Sequence, residues 1–334
     1  MTTAGRGELR IHFTAEDLRR TRVFTRPDPL WELVLSMHVL RSPRPRPEHS
    51  PWWAAARRRA GDSRMEEHLR LLGALVPARG DFPDFLTPAL ASPGFDAGLE
   101  KVLATPLKRL RSDLAVVPAN PVASRLADGG RGAVSQLGGA LRTYYEHFLQ
   151  PHWPHVEQTV QADTTIRAEQ TLTGIDRLLG GLPVPIRWSY PTLSSRYPTS
   201  QSLHLAGRGI TLIPSYFCTA TPVTFVDPEL RPVLVYPAVR PHPTPSRDAS
   251  HRLSALLGRT RAQALLALRT PSSTTQLATH IGMSLASASQ HAAVLREAGL
   301  VSTWREGHTM LHSLTPVGLS LLTASADPRG QDGE

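Results

Sequence analysis

Between Ser284 and His308 the chain sets out hydroxyl, amide, imidazole and guanidinium groups at spacings that could touch a nucleic acid. Ser287, Gln290 and His291 recur at helical spacing on what should be the exposed side of one helix. Ser289 stands near its edge and Ser284 at its start. These side chains are short or flat, and they donate and accept hydrogen bonds, which suits the reading of base edges in a major groove. Gln290 has the amide geometry to pair bidentately with adenine. Arg305 and His308 follow on a turn, one fixed cation and one possible cation, suited to phosphate or minor-groove contact.

The elements that must position these groups are legible on either side. Ser273 with Gln276 three residues later forms a capping box, in which each side chain satisfies an orphan backbone donor. Leu277, Ala278 and Ile281 then make a narrow apolar stripe, and Gly282 can end the helix with positive φ. Ser284 caps a second helix whose expected buried stripe is Leu285, Ala288, Ala292 and Leu295, and Gly299 stops it. Val301 to Trp304 and Thr309 to Leu314 read as a hairpin around Arg305-Glu306-Gly307-His308. The order is helix, turn, helix, strand, wing, strand.

TTQLATHIGMS, SQHAAVLREAGLVS, WREGH and the upstream LGRTRAQALLAL (Leu257 to Leu268) stand in the order and spacing of one family. From Leu253 to Ala324 the chain resembles the winged helix-turn-helix of ArsR-type bacterial regulators. Two departures are visible. Ala292 stands where the family usually has a large apolar residue, and the Leu-Gly segment is one residue short and lacks the usual Asp-Pro. LHLAGRGITLIPSYF, LVYPAV, IHFTAEDL and DPLWELVLS make residues 1–240 similar to the region that precedes this domain in long actinobacterial regulators. The resemblance implies a homodimeric transcriptional regulator, expected to be a repressor, on double-stranded DNA with an inverted-repeat operator. The expected dimer contacts are the helix after Thr315 (Val317, Leu319, Leu321, Leu322) and the helix around Leu253 to Leu257. Metal sensors of the family place ligands in two regions, here Gln276 to Met283 and Thr315 to Thr323. Neither holds a cysteine, and His280 alone cannot build a site. The expectation is repressor architecture with no metal and no cofactor, the signal being a small-molecule or protein effector acting on the N-terminal region.

Charge is placed unexpectedly for such a protein. The net charge is +9 over 334 residues, but residues 1–60 carry 12 arginines against 6 acids. The segment from Ser250 onward has 7 basic and 5 acidic residues, so the domain assigned to DNA is not the main source of positive charge. Arginine outnumbers lysine 35 to 2, a bias that fits a GC-rich genome and weakens a functional reading of each arginine. Arg41, Arg44, Arg46 and Arg57 to Arg59 could form an auxiliary phosphate-contacting surface, or a solvated and internally paired face. Cys218 is the one cysteine, which excludes an internal disulfide; it reads as a buried small hydrophobe, with redox sensing as the alternative. No apolar run approaches bilayer length and MTTAGRGELR has no hydrophobic signal core, so a cytoplasmic protein with no membrane partner is expected.

Upstream, Leu9 to Phe13 reads as a strand and Ala15 to Arg20 as a helix after Thr14. Further helices are expected over Pro29 to Leu40, from Pro51, and over Ser63 to Val76, Asp96 to Leu114, Arg131 to Gln150 and Val156 to Leu179. Of Trp52 and Trp53, neighbours that must face different ways, one should be core and the other partly exposed. His147, His152 and His155 are interrupted by two prolines, so their spacing does not gather three imidazoles on one helix face. After Gly180-Gly181 come short β-type runs: Ile186 to Tyr190, Ser202 to Ala206, Ile210 to Pro214, Val223 to Val226 and Val233 to Tyr236. Gly207-Arg208-Gly209 reads as a tight turn joining two of them. The expected fold class is α+β: a mostly helical N-terminal region (1–240) closed by a small antiparallel sheet, then a proline-rich linker (241–250), the winged domain (251–325) and a disordered tail (326–334). There is no Walker loop, Rossmann fingerprint, His-Glu-x-x-His, paired Cys-x-x-Cys or Gly-x-Ser-x-Gly elbow, so no enzymatic activity is expected. The competing reading is a winged-helix protein-interaction module with a basic N-terminal docking surface.

Overall fold

Pro29–Arg41 (α2 below) is the helix around which the N-terminal part is built, and it is buried on nearly every side rather than along one stripe. Asp28 caps it, its carboxylate accepting from the backbone N–H groups of Leu30 and Trp31 at 3.0 and 3.2 Å. A helix apolar all round belongs inside a core. In the computed structural model the described residues are 7–43, 45–78, 81–88, 94–219, 221–227, 229–239, 247–268, 272–306, 309–315, 317–318 and 321–322. The chain divides into two compact units, Met1–Pro241 and His242–Glu334.

In chain order the first unit contains β1 (Gly7–His12), α1 (Ala15–Arg20), β2 (Arg22–Val23), α2 (Pro29–Arg41), α3 (Ser50–Ala60), α4 (Ser63–Leu75), α5 (Phe95–Leu103), α6 (Leu107–Leu114), α7 (Pro121–Ala127) and α8 (Arg131–Tyr144). A π-turn over Tyr145–Leu149 follows, then α9 (Trp153–Thr173), α10 (Ile175–Gly180), β3 (Arg187–Ser189), β4 (Thr192–Tyr197), β5 (Gln201–His204), β6 (Thr211–Ser215) and β7 (Val233–Pro237). Two helices expected to be continuous are broken. Thr105-Pro106 separates α5 from α6, because the residue before proline is pushed out of the helical region. Gly174, at φ +129°, separates α9 from α10. The short helix α7 and the strands β2 and β4 were not expected.

The small antiparallel sheet is corrected. Two sheets are present among the described residues of this unit. One is mixed, in the order β3-β4-β1-β5, with β1 antiparallel to β4 and parallel to β5. The other is wholly parallel, β2-β6-β7. It divides two apolar cores. Ile213, Val233 and Val235 face the helical core of α2, Trp52, Leu72 and Leu141, while Leu212, Leu234 and Tyr236 face a second core with Leu9, Ile11, Leu193 and Leu179. Strands covered on both faces carry near-continuous apolar runs, which is what TLIPS and VLVYP are. Val223 to Val226 is no strand; Val223 makes a single antiparallel bridge to Val235.

Gly207-Arg208-Gly209 accordingly joins strands of different sheets rather than a hairpin. Gly209 has φ +69°, and a Cβ there would fall 2.6 Å from the Arg20 carbonyl oxygen. The turn lies against α1, where the Asp17 carboxylate accepts from Gly209 N–H at 2.8 Å. Glu32 of α2, fully buried, performs a similar service at the end of β6. It accepts from Ser215 Oγ (2.9 Å), Tyr216 N–H (2.8 Å) and Phe217 N–H (3.0 Å). Cys218 is buried beside them, and burial pushes its thiol up, away from the reactive thiolate.

Trp52 is core, its indole N–H donating to the Phe148 carbonyl at 2.7 Å, whereas Trp53 is half-exposed under Arg57. Arg41 is turned inward to the Val76 carbonyl and Arg46 pairs with Glu48 at 3.7 Å. Arg57 to Arg59 are exposed, and Arg44 lies outside the described residues. His147 is bonded to its own helix through the Thr143 carbonyl, apart from His152 and His155, which flank Tyr216. No helix among the described residues is long and apolar enough to cross a membrane.

The second unit holds α11 (Arg247–Leu257), α12 (Arg259–Ala267), β8 (Ser272–Ser273), α13 (Thr274–Ile281), α14 (Leu285–Glu297), β9 (Val301–Glu306) and β10 (Thr309–Leu314). Arg247 to Ser250, expected in the linker, open α11; residues 241–246 and the tail 326–334 lie outside the described residues.

Candidate nucleic-acid interface

The second unit sets its exposed helix by local chemistry. Ser273 Oγ accepts from Gln276 N–H at 3.2 Å while the Gln276 amide oxygen accepts from Ser273 N–H at 2.8 Å, the capping box of α13. Gly282 closes α13 in the left-handed region at φ +64°, and Met283 N–H reaches back to the Ala278 carbonyl at 3.0 Å. That geometry penalises any residue with a Cβ. Ser284 then caps α14 by accepting from Ser287 N–H at 3.2 Å. The two hydroxyls of Ser284 and Ser287 also bond to each other at 3.0 Å, so both belong to the cap.

Helix α14 packs through Ala288 (0% exposed), Ala292 (1%) and Leu295 (1%) onto the core with Leu265, Leu268 and Leu277. Small side chains at two of the three contacts permit a close approach of helix to helix. Leu285, expected in this stripe, is 55% exposed. It is the first residue of the helix, and the core lies under the following turns. At about 100° per residue, Gln290 stands opposite the buried stripe together with Ala286. Ser287 and His291, both half-buried, lie on one flank, and exposed Ser289 on the other. The structure therefore gathers Ser287, Gln290 and His291 on one side and sets Ser289 apart.

The wing is a three-stranded antiparallel sheet, β8-β10-β9, one strand more than expected. Thr309 pairs with Glu306, so β9 runs through Arg305, which is exposed near the hairpin tip. His308 lies outside the described residues. A residue not singled out from sequence ties the wing to the helices. His312, 5% exposed, bonds through Nε2 to Thr274 Oγ1 and through Nδ1 to Thr303 Oγ1, both at 2.9 Å. Burial, reinforced by Arg296, pushes this imidazole down, so it serves as a neutral donor–acceptor. Its partners lie 38 and 9 residues away. The one local signal was its polar side chain on an otherwise inward position of β10.

Several apolar groups stay uncovered. Met283 (43%) and Leu285 (55%) flank the start of α14, and Leu256 (65%) and Val317 (62%) stand on α11 and after Thr315. Leu253 and Leu322, expected at a dimer contact, are core residues instead. Leu319 lies outside the described residues.

Residues 259–303 match the family described as bacterial regulatory protein, arsR family. This segment is an ArsR-family helix-turn-helix. The match spans α12 to β9 and so contains every element that positions the polar face of α14. Among solved structures the chain is similar to reduced HlyU from Vibrio cholerae N16961, at 25% identity over 23% of this chain and 84% of that one, with a TM-score of 0.19. It is also similar to a possible transcriptional regulator for arsenical resistance, at 31% identity over 24% of this chain and 80% of that one, with a TM-score of 0.18. At those scores neither likeness adds to the geometry above. No curated protein matches the chain. An ArsR-family helix-turn-helix suggests a DNA-binding transcriptional regulator.

Proposed function

We propose that the protein is a sequence-specific repressor that binds an inverted-repeat operator as a homodimer and takes a non-metal signal through its N-terminal region. The observation that carries this reading is the polar face of α14, with Gln290 outermost, held by two capped helix starts within an ArsR-family segment. Gln290 reads a base edge, worth about 1–3 kcal/mol of discrimination as a bidentate contact to adenine. Ser287 and His291 touch bases or adjacent phosphates on the same flank. Ser284 and Ser289 are secondary contacts, the first because its hydroxyl is engaged in the cap. Leu285, exposed at the helix start, is placed to meet a thymine methyl group. Arg305 and His308 contact the backbone or minor groove from the wing.

A second copy covering Leu256 and Val317 would remove two large apolar side chains from water and set two recognition helices about one DNA turn, ~34 Å, apart. We assign no enzymatic activity. The competing reading, a winged-helix module for protein contacts, is separated by one experiment. Replacing Ser287, Gln290 and His291 together with alanine leaves the backbone cap bond of Ser287 in place. It should abolish sequence preference while preserving weak salt-sensitive binding. Unchanged DNA preference in that variant would favour the protein-contact reading.

A further inference from the structure

One cleft of the N-terminal unit is lined mostly by apolar side chains, with an arginine among them. It holds about 190 Å³ between α3 and the π-turn that follows α8. Trp52, Ala55, Phe148 and Pro151 are among its apolar lining, and Arg59 and His152 are its polar lining. Pro151 has no N–H to return to the His147 carbonyl, and π-turns recur at functional sites. Two cleft residues bond to carbonyls of the turn: Trp52 Nε1 donates to the Phe148 carbonyl at 2.7 Å, and Arg59 donates to the His147 carbonyl. The second bond ties the Arg59 side chain, itself part of the cleft lining, to the π-turn. His152 is oriented by Tyr216 Oη at 3.3 Å, and that hydroxyl donates to the Glu48 carbonyl at 2.8 Å.

Charge and size choose the occupant. Among the described residues none of Arg57, Arg58 and Arg59 pairs with a carboxylate, although most other ion pairs of this unit are made by arginines with near neighbours. A guanidinium that shares a cleft lining with aromatic side chains complements a planar anion, which it can meet with parallel N–H bonds while the ring packs against them. The volume is under the ~300–1,000 Å³ of drug-sized sites, which excludes nucleotides and large cofactors and leaves room for one ring with a short acidic group. The larger hollow, about 500 Å³ between α11 and α12, is lined by Ser250, His251, Ser254, Arg259, Gln263 and Leu266 and has no tryptophan, tyrosine or phenylalanine in its lining.

We propose that the Trp52–Phe148 cleft binds small one-ring carboxylates, with Arg59 holding the carboxylate and Trp52 and Phe148 the ring. This gives a site to the non-metal signal, and only its consequence at the DNA rests on the function proposed above. The test is calorimetric titration of the full chain with benzoate, with benzyl alcohol as the uncharged comparison. Saturable binding of benzoate at millimolar concentration is expected, with benzyl alcohol and the Arg59→Gln variant each about tenfold weaker. Ala55→Phe, which fills the cleft, should abolish binding. Arg59 is exposed, so Arg59→Gln carries the test if Ala55→Phe does not fold. Equal binding of benzoate and benzyl alcohol, wild-type affinity in folded Arg59→Gln, or no saturable binding of benzoate would overturn the proposal. Operator affinity measured with and without saturating benzoate is a separate readout: binding in the cleft that leaves the DNA affinity unmoved would preserve the site and refute the sensing role.

Discussion

In the N-terminal unit Asp17, Glu32, Asp163 and Arg167 lie at 0–1% exposure, each within a set of polar partners. In the winged unit no carboxylate or guanidinium among the described residues is buried; its buried polar side chains are Ser272, His312 and Ser313. The first unit is thus fastened by desolvated charge across long sequence separations, and the second by neutral caps and a small apolar core. Buried charge is costly to leave unpaired, whereas a missing cap costs about one hydrogen bond. A single deletion or a change of pH should therefore act strongly on the first unit and weakly on the second. The winged unit in turn keeps its polar groups at the surface, where a nucleic acid can use them.

The largest effect is expected at Asp163. Its carboxylate accepts from Arg167 (3.0 Å), Tyr236 Oη (2.6 Å) and Val239 N–H (2.9 Å), joining α9 to the end of β7. Asp163→Ala leaves Arg167 buried without its counter-ion and should cost the N-terminal unit about 3–5 kcal/mol in urea unfolding. The winged unit, followed by hydrogen exchange of its helix amides, should unfold as in the wild type. A loss below about 1 kcal/mol would dissolve the contrast between the units.

The pH response sharpens it next. Burial outweighs three hydrogen-bond donors and pushes the Glu32 carboxyl from 4.5 up to about 7. The folded unit then binds a proton that the unfolded chain has released, so this group's contribution to stability falls as pH rises from about 4.5 through about 7. His38, six residues on, is pushed by burial from 6.5 down to about 4, so its contribution falls as pH drops through that window. The two slopes oppose each other, each amounting to roughly 3 kcal/mol. Glu32→Gln should leave stability rising from pH 4 to 6.5, and His38→Gln should leave it falling from pH 4.5 to 7, in urea midpoints across that range. Parallel pH curves for the two variants would refute the assignment.

On the winged side the effects fall on DNA more than on stability. Gln290→Ala should lose about 1–3 kcal/mol of discrimination at one base position, read as the affinity ratio between the best site and its single-base variants. Arg305→Ala should instead weaken binding to every sequence and lower the salt slope by about one. The smallest change is Ser273→Ala, which removes one half of the capping box and should cost the winged unit about 1 kcal/mol, read from hydrogen exchange of its helix amides.

The capped helices were legible because their signals lie within a turn of one another: Ser273 with Gln276, Thr14 before Ala15, Ser284 before Leu285. The polar side of α14 followed from the same spacing. Leu285 did not, because a 3.6-residue stripe does not reveal where the core beneath it ends. The parallel sheet was hidden for a different reason. β2 and β6 are almost two hundred residues apart, and short apolar runs punctuated by glycine and proline look like a meander until their distant partners are known. β4 was masked by its serines, Ser194 and Ser195, and His312 by partners contributed from another helix and strand. The cleft of Trp52 and Phe148 depends on a π-turn, which no hydropathy period announces.

Selection of bound sequences from a random duplex pool by the purified full chain, at near-physiological salt, tests most directly whether the α14 face reads DNA. The result expected is an enriched inverted repeat with half-sites about ten base pairs apart, lost in the Ser287, Gln290 and His291 triple-alanine variant. Binding without an enriched motif, vanishing as salt rises, would contradict the account, because only the electrostatic attraction to phosphate would remain.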